Sequence, residues 1–181
     1  MPRIPLPMDS ELDEKTQGFL ATLPPLNIAR MLARTGIAPA FYTAVSAIFD
    51  DSWFPARDRE IMLFRICKAN QSNYEIHQHR AYGGLPNTMI DTILSDNLSS
   101  LEPWPRQLCA FCDEITDEAK LSEASVAALV QHYEGYDGAS RAILVMAWFN
   151  MLSRFVDSTG VPIEKGSDPY AGVTGPATRE A

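Results

Sequence analysis

Residues 70–79 read Asn70-Gln71-Ser72-Asn73-Tyr74-Glu75-Ile76-His77-Gln78-His79. As a helix, this stretch advances by about 100° per residue, so Ser72, Glu75 and His79, spaced three and four apart, share one face within roughly 60° of arc. A hydroxyl, a carboxylate and an imidazole on one stripe form a constellation suited to moving protons. His77 lies about 200° from Glu75 and points away from it. One helix upstream, Glu60 precedes Ile61, Met62, Leu63, Phe64, Ile66 and Cys67. A helix apolar nearly all round is a buried helix. A carboxylate at its start must be paired, protonated or at work.

Working outward, the chain reads as all-α. An amphipathic helix is predicted over 9–23, capped near Asp9 or Ser10. Two shorter helices follow over 26–35 and 38–50, divided by Gly36 and Pro39. The motif pair occupies 56–70 and 72–83 and is ended by Gly83-Gly84. Further helices are expected over 86–96, 104–118, 122–134 and 138–159, with Pro86, Pro105 and Ser122 marking starts. No β-branched run alternates strictly, so strands are not supported. Residues 1–160 read as a single helical domain with an N-terminal helical extension. Residues 161–181, rich in Gly, Pro, Ser and Thr, read as an extended tail.

Composition narrows the function classes. The formal charge of −8 and pI near 4.8 argue against nucleic acid and acidic membranes as partners, since both call for basic patches. An anionic substrate would be repelled at long range and would need a local cation. No stretch reaches the ~20 apolar residues of a membrane span. Three cysteines, an odd number with no secretory segment, suggest a reducing, cytoplasmic setting. Cys109-Ala110-Phe111-Cys112 is a Cys-x-x-Cys on a different helix from the motif, with no His at matching spacing. Its bland reading is two buried core thiols. No metal site is expected.

Together these fragments resemble the carboxymuconolactone decarboxylase family, which includes the AhpD-like alkylhydroperoxidases. Pro55 to Arg65 resembles the family helix that carries Arg-Glu before a hydrophobic run. Asn73-Tyr74-Glu75 followed by His79 resembles Tyr-Glu-Trp-x-x-His, with Ile76 in place of the tryptophan. Trp104-Pro105-Arg106 and the segment from Phe149 to Arg154 resemble later, weaker landmarks. The likeness runs from about Trp53 to Gly160. The peroxidase branch uses Cys-x-x-Cys-x-x-x-His, and here the two cysteine positions hold Ser72 and Glu75. Neither side chain forms a disulfide or a thiolate.

The resemblance therefore implies an AhpD-like helical bundle, a homo-oligomer (dimer, trimer or hexamer) and a cofactor-free lyase acting on a small carboxylate. His79 is the expected proton donor, Glu75 its orienting neighbour, and Glu60 a proton relay. Ser72 and Tyr82 are candidate substrate contacts, and Arg65 or Arg80 a candidate carboxylate anchor. The same acid–base set would also serve isomerisation or hydration of a related ring-cleavage product. Two other classes stay open: a thiol oxidoreductase using Cys109 and Cys112, and a non-catalytic oligomeric scaffold or ligand-binding protein. Surface aromatics, with Trp53, Phe54, Trp148 and Phe149 as candidates, would fit self-association.

Overall fold

In the computed structural model, which describes residues 2–165, every regular element is helical. A 3-10 turn at Asp9–Glu11 precedes α1 (Glu14–Leu20), α2 (Asn27–Ala33), α3 (Ala38–Ile48), α4 (Ala56–Ala69), α5 (Asn73–Tyr82), α6 (Asn87–Leu94), α7 (Pro103–Asp117), α8 (Glu123–His132) and α9 (Tyr136–Thr159). The expected boundaries hold to within a few residues except at the N-terminus. The single helix expected over 9–23 is divided, because the Asp13 carboxylate accepts from the Thr16 N–H at 2.7 Å. That bond caps α1 at Asp13 and leaves Leu12 extended. Helix α9 starts at Tyr136, two residues before its predicted start, after Gly135.

Helix α4 is the axis of the larger core, packed against α5, α6, α7 and α9. Ile61, Met62, Leu63, Phe64, Ile66 and Cys67 are wholly buried, as their unbroken apolar run requires. Its buried polar residues all find partners. Asp58 accepts from Trp104 Nε1 at 3.1 Å and from the Tyr133 hydroxyl at 2.8 Å. Arg65 makes a bidentate pair with Asp113 and also donates to the Ile93 and Ser95 carbonyls at the end of α6. Glu60 turns toward α5.

A second apolar cluster joins α2 and α3 to Tyr74 and the last turns of α9. There Gly160 adopts φ 68°, which ends α9 in a left-handed turn. The Thr159 carbonyl then accepts from Arg3 and Ile4, tying down the N-terminal segment. Residues 161–165 follow without regular structure and reach back to α2, where Asn27 Nδ2 donates to the Pro162 carbonyl. The rest of the tail expected over 161–181 lies outside the described residues. Among the described residues no helix is long and apolar enough to cross a membrane.

The aromatics expected on the surface are placed otherwise. Phe54 and Phe149 belong to the core, while Trp53 and Trp148 are half-buried against it. The exposed apolar positions are instead Met8, Ile37, Tyr136, Leu144 and Met151, among others.

Candidate acid–base site

Helices α4 and α5 form a tight hairpin. Gln71 takes φ 59° at the reversal, and the Ser72 N–H donates to the Cys67 carbonyl at 2.7 Å. This turn lays α5 against α4. His79 Nδ1 then lies 2.8 Å from Glu60 Oε2. On its other side His79 Nε2 stands 3.9 Å from Glu75 Oε2, an ion-pair distance too long for a hydrogen bond. Glu60 is 3% exposed and Glu75 4%, so the imidazole sits between two carboxyls largely removed from water. Phe49 and Phe149 flank its ring, with centroids 5.8 and 6.4 Å away.

The Glu60 position depends on Gly83. A Cβ there would stand 2.1 Å from Glu60 Oε2. The glycine is required by this approach and not by its backbone angles, which are helical. Arg59, also buried, puts Nε 3.9 Å from Glu60 Oε1, lies over the Phe49 ring, and pairs through its outer nitrogen with Asp51 at 3.1 Å.

The electrostatics follow from this packing. Burial pushes the Glu75 carboxyl up to about 7 against the pull of His79, and Asp157 and Glu60 push it further. One of its oxygens, Oε1, has no hydrogen-bond partner among the described residues. Burial is the largest single influence and works against a charged His79, but the charge and hydrogen bond of Glu60, together with the charge of Glu75, outweigh it and raise the imidazole above its ordinary value. Tyr42 is pushed up to about 12 by burial and by the nearby carboxylates of Glu75 and Glu164.

His79 and Glu75 open onto a cavity of about 300 Å³ whose walls come from α2, α3, α5 and α9, with Ile28, Phe41, Val45, Phe49 and Trp148 among them. Glu60 instead lines a second cavity of about 380 Å³, shared with Asp51, Arg57 and Arg59. Tyr82 and Phe49 line both. The structure thus brings Glu60, His79 and Glu75 into one contiguous set that faces two cavities. Behind the first cavity, Glu164 accepts from the Tyr74 hydroxyl at 2.7 Å, from the Asn27 N–H at 2.6 Å and from Gln78 Nε2.

Other sequence candidates lie elsewhere. Arg65 lines neither cavity and is committed to Asp113, so the structural pair won over the carboxylate anchor. Arg80 is exposed and pairs with Asp91 at 2.9 Å. Ser72 sits at the N-cap position of α5 without a capping bond. Its buried hydroxyl is close enough to influence the Asp157 carboxyl, yet the two do not meet in hydrogen-bond geometry. His77 is exposed. Cys109 and Cys112 are wholly buried, and burial pushes Cys109 up to about 12 and Cys112 well above its ordinary value. A thiolate nucleophile there is strongly disfavoured. Among the described residues no group of three His, Cys, Asp or Glu side chains is arranged to hold a metal ion.

Sequence reasoning missed Arg59, Tyr42, Gln78 and Glu164 as neighbours of this site. Arg59 had a usable signal, its adjacency to Glu60 in a buried helix. The other three are placed by tertiary packing.

No family model matches the chain, and no curated protein does. Among solved structures it is similar to an uncharacterized peroxidase-related protein from Ralstonia eutropha JMP134, described as an alkylhydroperoxidase AhpD core. The two are 21% identical with a TM-score of 0.73, over 91% of this chain and 93% of that one. It is also similar to an uncharacterized peroxidase-related protein from Silicibacter sp. TM1040, at 18% identity and a TM-score of 0.74, over 91% and 92% of the two chains. These likenesses show that the all-helical fold is AhpD-like.

Proposed function

We propose that this chain is an acid–base enzyme on the AhpD-like fold, a cofactor-free lyase of the carboxymuconolactone decarboxylase type. The observation that carries this reading is the 2.8 Å bond between His79 Nδ1 and the buried Glu60. With Nδ1 so engaged, Nε2 is the ring nitrogen left to a substrate in the first cavity. Glu60 keeps the ring oriented and favours its protonated form. On loss of CO₂ the C–C bond to the carboxylate breaks, and its electron pair passes into the conjugated carbonyl as an enolate. His79 then delivers its Nε2 proton to carbon, keeps Nδ1–H on Glu60, and regains a proton at Nε2 from the first cavity, where Glu75 stands beside it. Glu75, poised near neutrality, tunes the charge beside Nε2.

The thiol-peroxidase alternative gains no support from the burial of Cys109 and Cys112. Self-association belongs to the proposed reading, through exposed apolar positions of α9 such as Leu144 and Met151. Light scattering that finds only the 20.1 kDa monomer counts against it.

The function is tested by CO₂ release from a panel of small lactone and aromatic acids. Wild type is expected to turn over at least one. His79→Gln, checked for folding, is expected to lose about 10²–10⁴ in rate, the usual worth of a general acid. Equal rates remove His79 from the mechanism.

A further inference from the structure

The first cavity is short of positive charge. Among the described residues, none that lines it is a lysine or an arginine. Arg65 is held by Asp113 and Arg80 by Asp91, each outside the cavity. Arg59 borders the other cavity and is committed to Asp51 and the Phe49 face. Among the described residues, the cationic group at the first cavity is therefore the imidazole of His79. Carboxyls are plentiful by contrast. Glu75 lines the wall, Glu60 stands behind His79, and Glu164 stands behind Gln78 and Tyr74.

We propose that this cavity takes a mono-acid: one carboxylate, set against His79, on an otherwise uncharged and largely apolar flat body. As an assignment of substrate this rests on the lyase reading; as an assignment of ligand it does not. One carboxylate finds a charge-assisted partner in the imidazolium. A second would be desolvated among the glutamates without a cation, and an unpaired charge in an apolar site is strongly rejected. The walls fit the rest of the molecule. Ile28, Leu32, Val45 and Leu152 supply aliphatic surface. Phe41 and Trp148 stand 4.7 Å apart between ring centroids and form one aromatic wall. At about 300 Å³ the space is at the small end of ligand pockets. The single carboxylate is then the one lost as CO₂, the electron pair of the broken C–C bond passing into an uncharged carbonyl conjugated within that body. Its transfer from water to apolar walls favours the loss, because the charge is dispersed as the C–C bond breaks.

The test is calorimetric binding of cinnamate and para-carboxycinnamate, the same body with one and two carboxylates, to the full-length protein. Cinnamate is expected to bind at least about tenfold more tightly, the low end for leaving a buried polar group unsatisfied. Ser46→Lys places a cation on an exposed, cavity-lining position of α3. It is expected to narrow or reverse that ratio by strengthening the di-acid. Tighter or equal binding of the di-acid by wild type overturns the proposal, as does binding of neither acid. A mono-acid that binds selectively while no acid in the panel releases CO₂ upholds the cavity assignment and removes the lyase reading, so the two failures are separable.

Discussion

Glu75→Gln should stabilise this protein at alkaline pH, although it removes a group from the proposed site. In the native fold the Glu75 carboxyl is raised from 4.5 to about 7, chiefly by burial. One pKa unit is about 1.4 kcal/mol of differential interaction, so the ionised carboxylate costs the fold about 3 kcal/mol above neutrality. That figure already contains the attraction to His79, which lowers the Glu75 value. A glutamine amide also leaves a buried atom unpaired, as Glu75 Oε1 is now, and this takes back about 1 kcal/mol. The net gain is about 2 kcal/mol at about pH 8, or roughly 4–8 °C in Tm for a chain of this size. The sign follows from proton linkage. A carboxyl whose folded value lies above its unfolded one binds more protons in the native state between 4.5 and about 7. Wild type therefore loses stability as pH rises through that window, and the advantage of glutamine fades as pH falls back through it. Denaturant melts of both proteins at about pH 8 and about pH 4.5 decide the matter. A variant no more stable than wild type at the higher pH refutes the placement of an uncompensated Glu75 carboxylate beside His79.

Three further outcomes are expected. Gly83→Ala should displace Glu60, because the new Cβ would stand 2.1 Å from its carboxylate; a 15N titration of His79 should show a lowered pKa, and an unchanged one would count against the Gly83 constraint. Native protein should resist thiol reagents at Cys67, Cys109 and Cys112, all wholly buried, and react only on unfolding; rapid labelling of Cys109 would reopen the redox reading. Arg65→Met should cost about 3 kcal/mol, the low end for breaking a buried pair because Asp113 keeps 36% of its side chain exposed, while leaving cinnamate affinity unchanged; a loss of affinity without a loss of stability would return Arg65 to the site.

The elements most legible in the sequence were those written in local pattern. The apolar run after Glu60 identified α4 as the buried axis, and the three–four spacing of Ser72, Glu75 and His79 identified α5. Glycine and proline marked the ends of α5 and the start of α6. The split before α1 was missed because Asp13 competes with Asp9 and Ser10 as a cap, and a side-chain bond to Thr16 decides it. The pairing of Glu60 with His79 came from the family resemblance, since residues 19 apart on two helices carry no shared period. Arg65 and Arg80 were ambiguous for a physical reason. The guanidinium fork suits a structural carboxylate as well as a ligand, and Asp113 lies 48 residues away in sequence. The walls of the first cavity come from α2, α3 and α9, which meet only in the folded chain. Phe41 and Trp148 therefore gave no local sign that they border it.

The central claim is that His79 is a proton-handling group held charged by Glu60. A 15N-resolved NMR titration of the His79 ring tests it most directly, in wild type and in Glu60→Gln. The structure calls for a wild-type value above the ordinary 6.5, because Glu60 and Glu75 together outweigh burial. In Glu60→Gln that value should fall below the ordinary one, since burial and Arg59 then oppose the charge with only Glu75 in its favour. A wild-type His79 that titrates at or below 6.5, or one indifferent to Glu60→Gln, contradicts the claim.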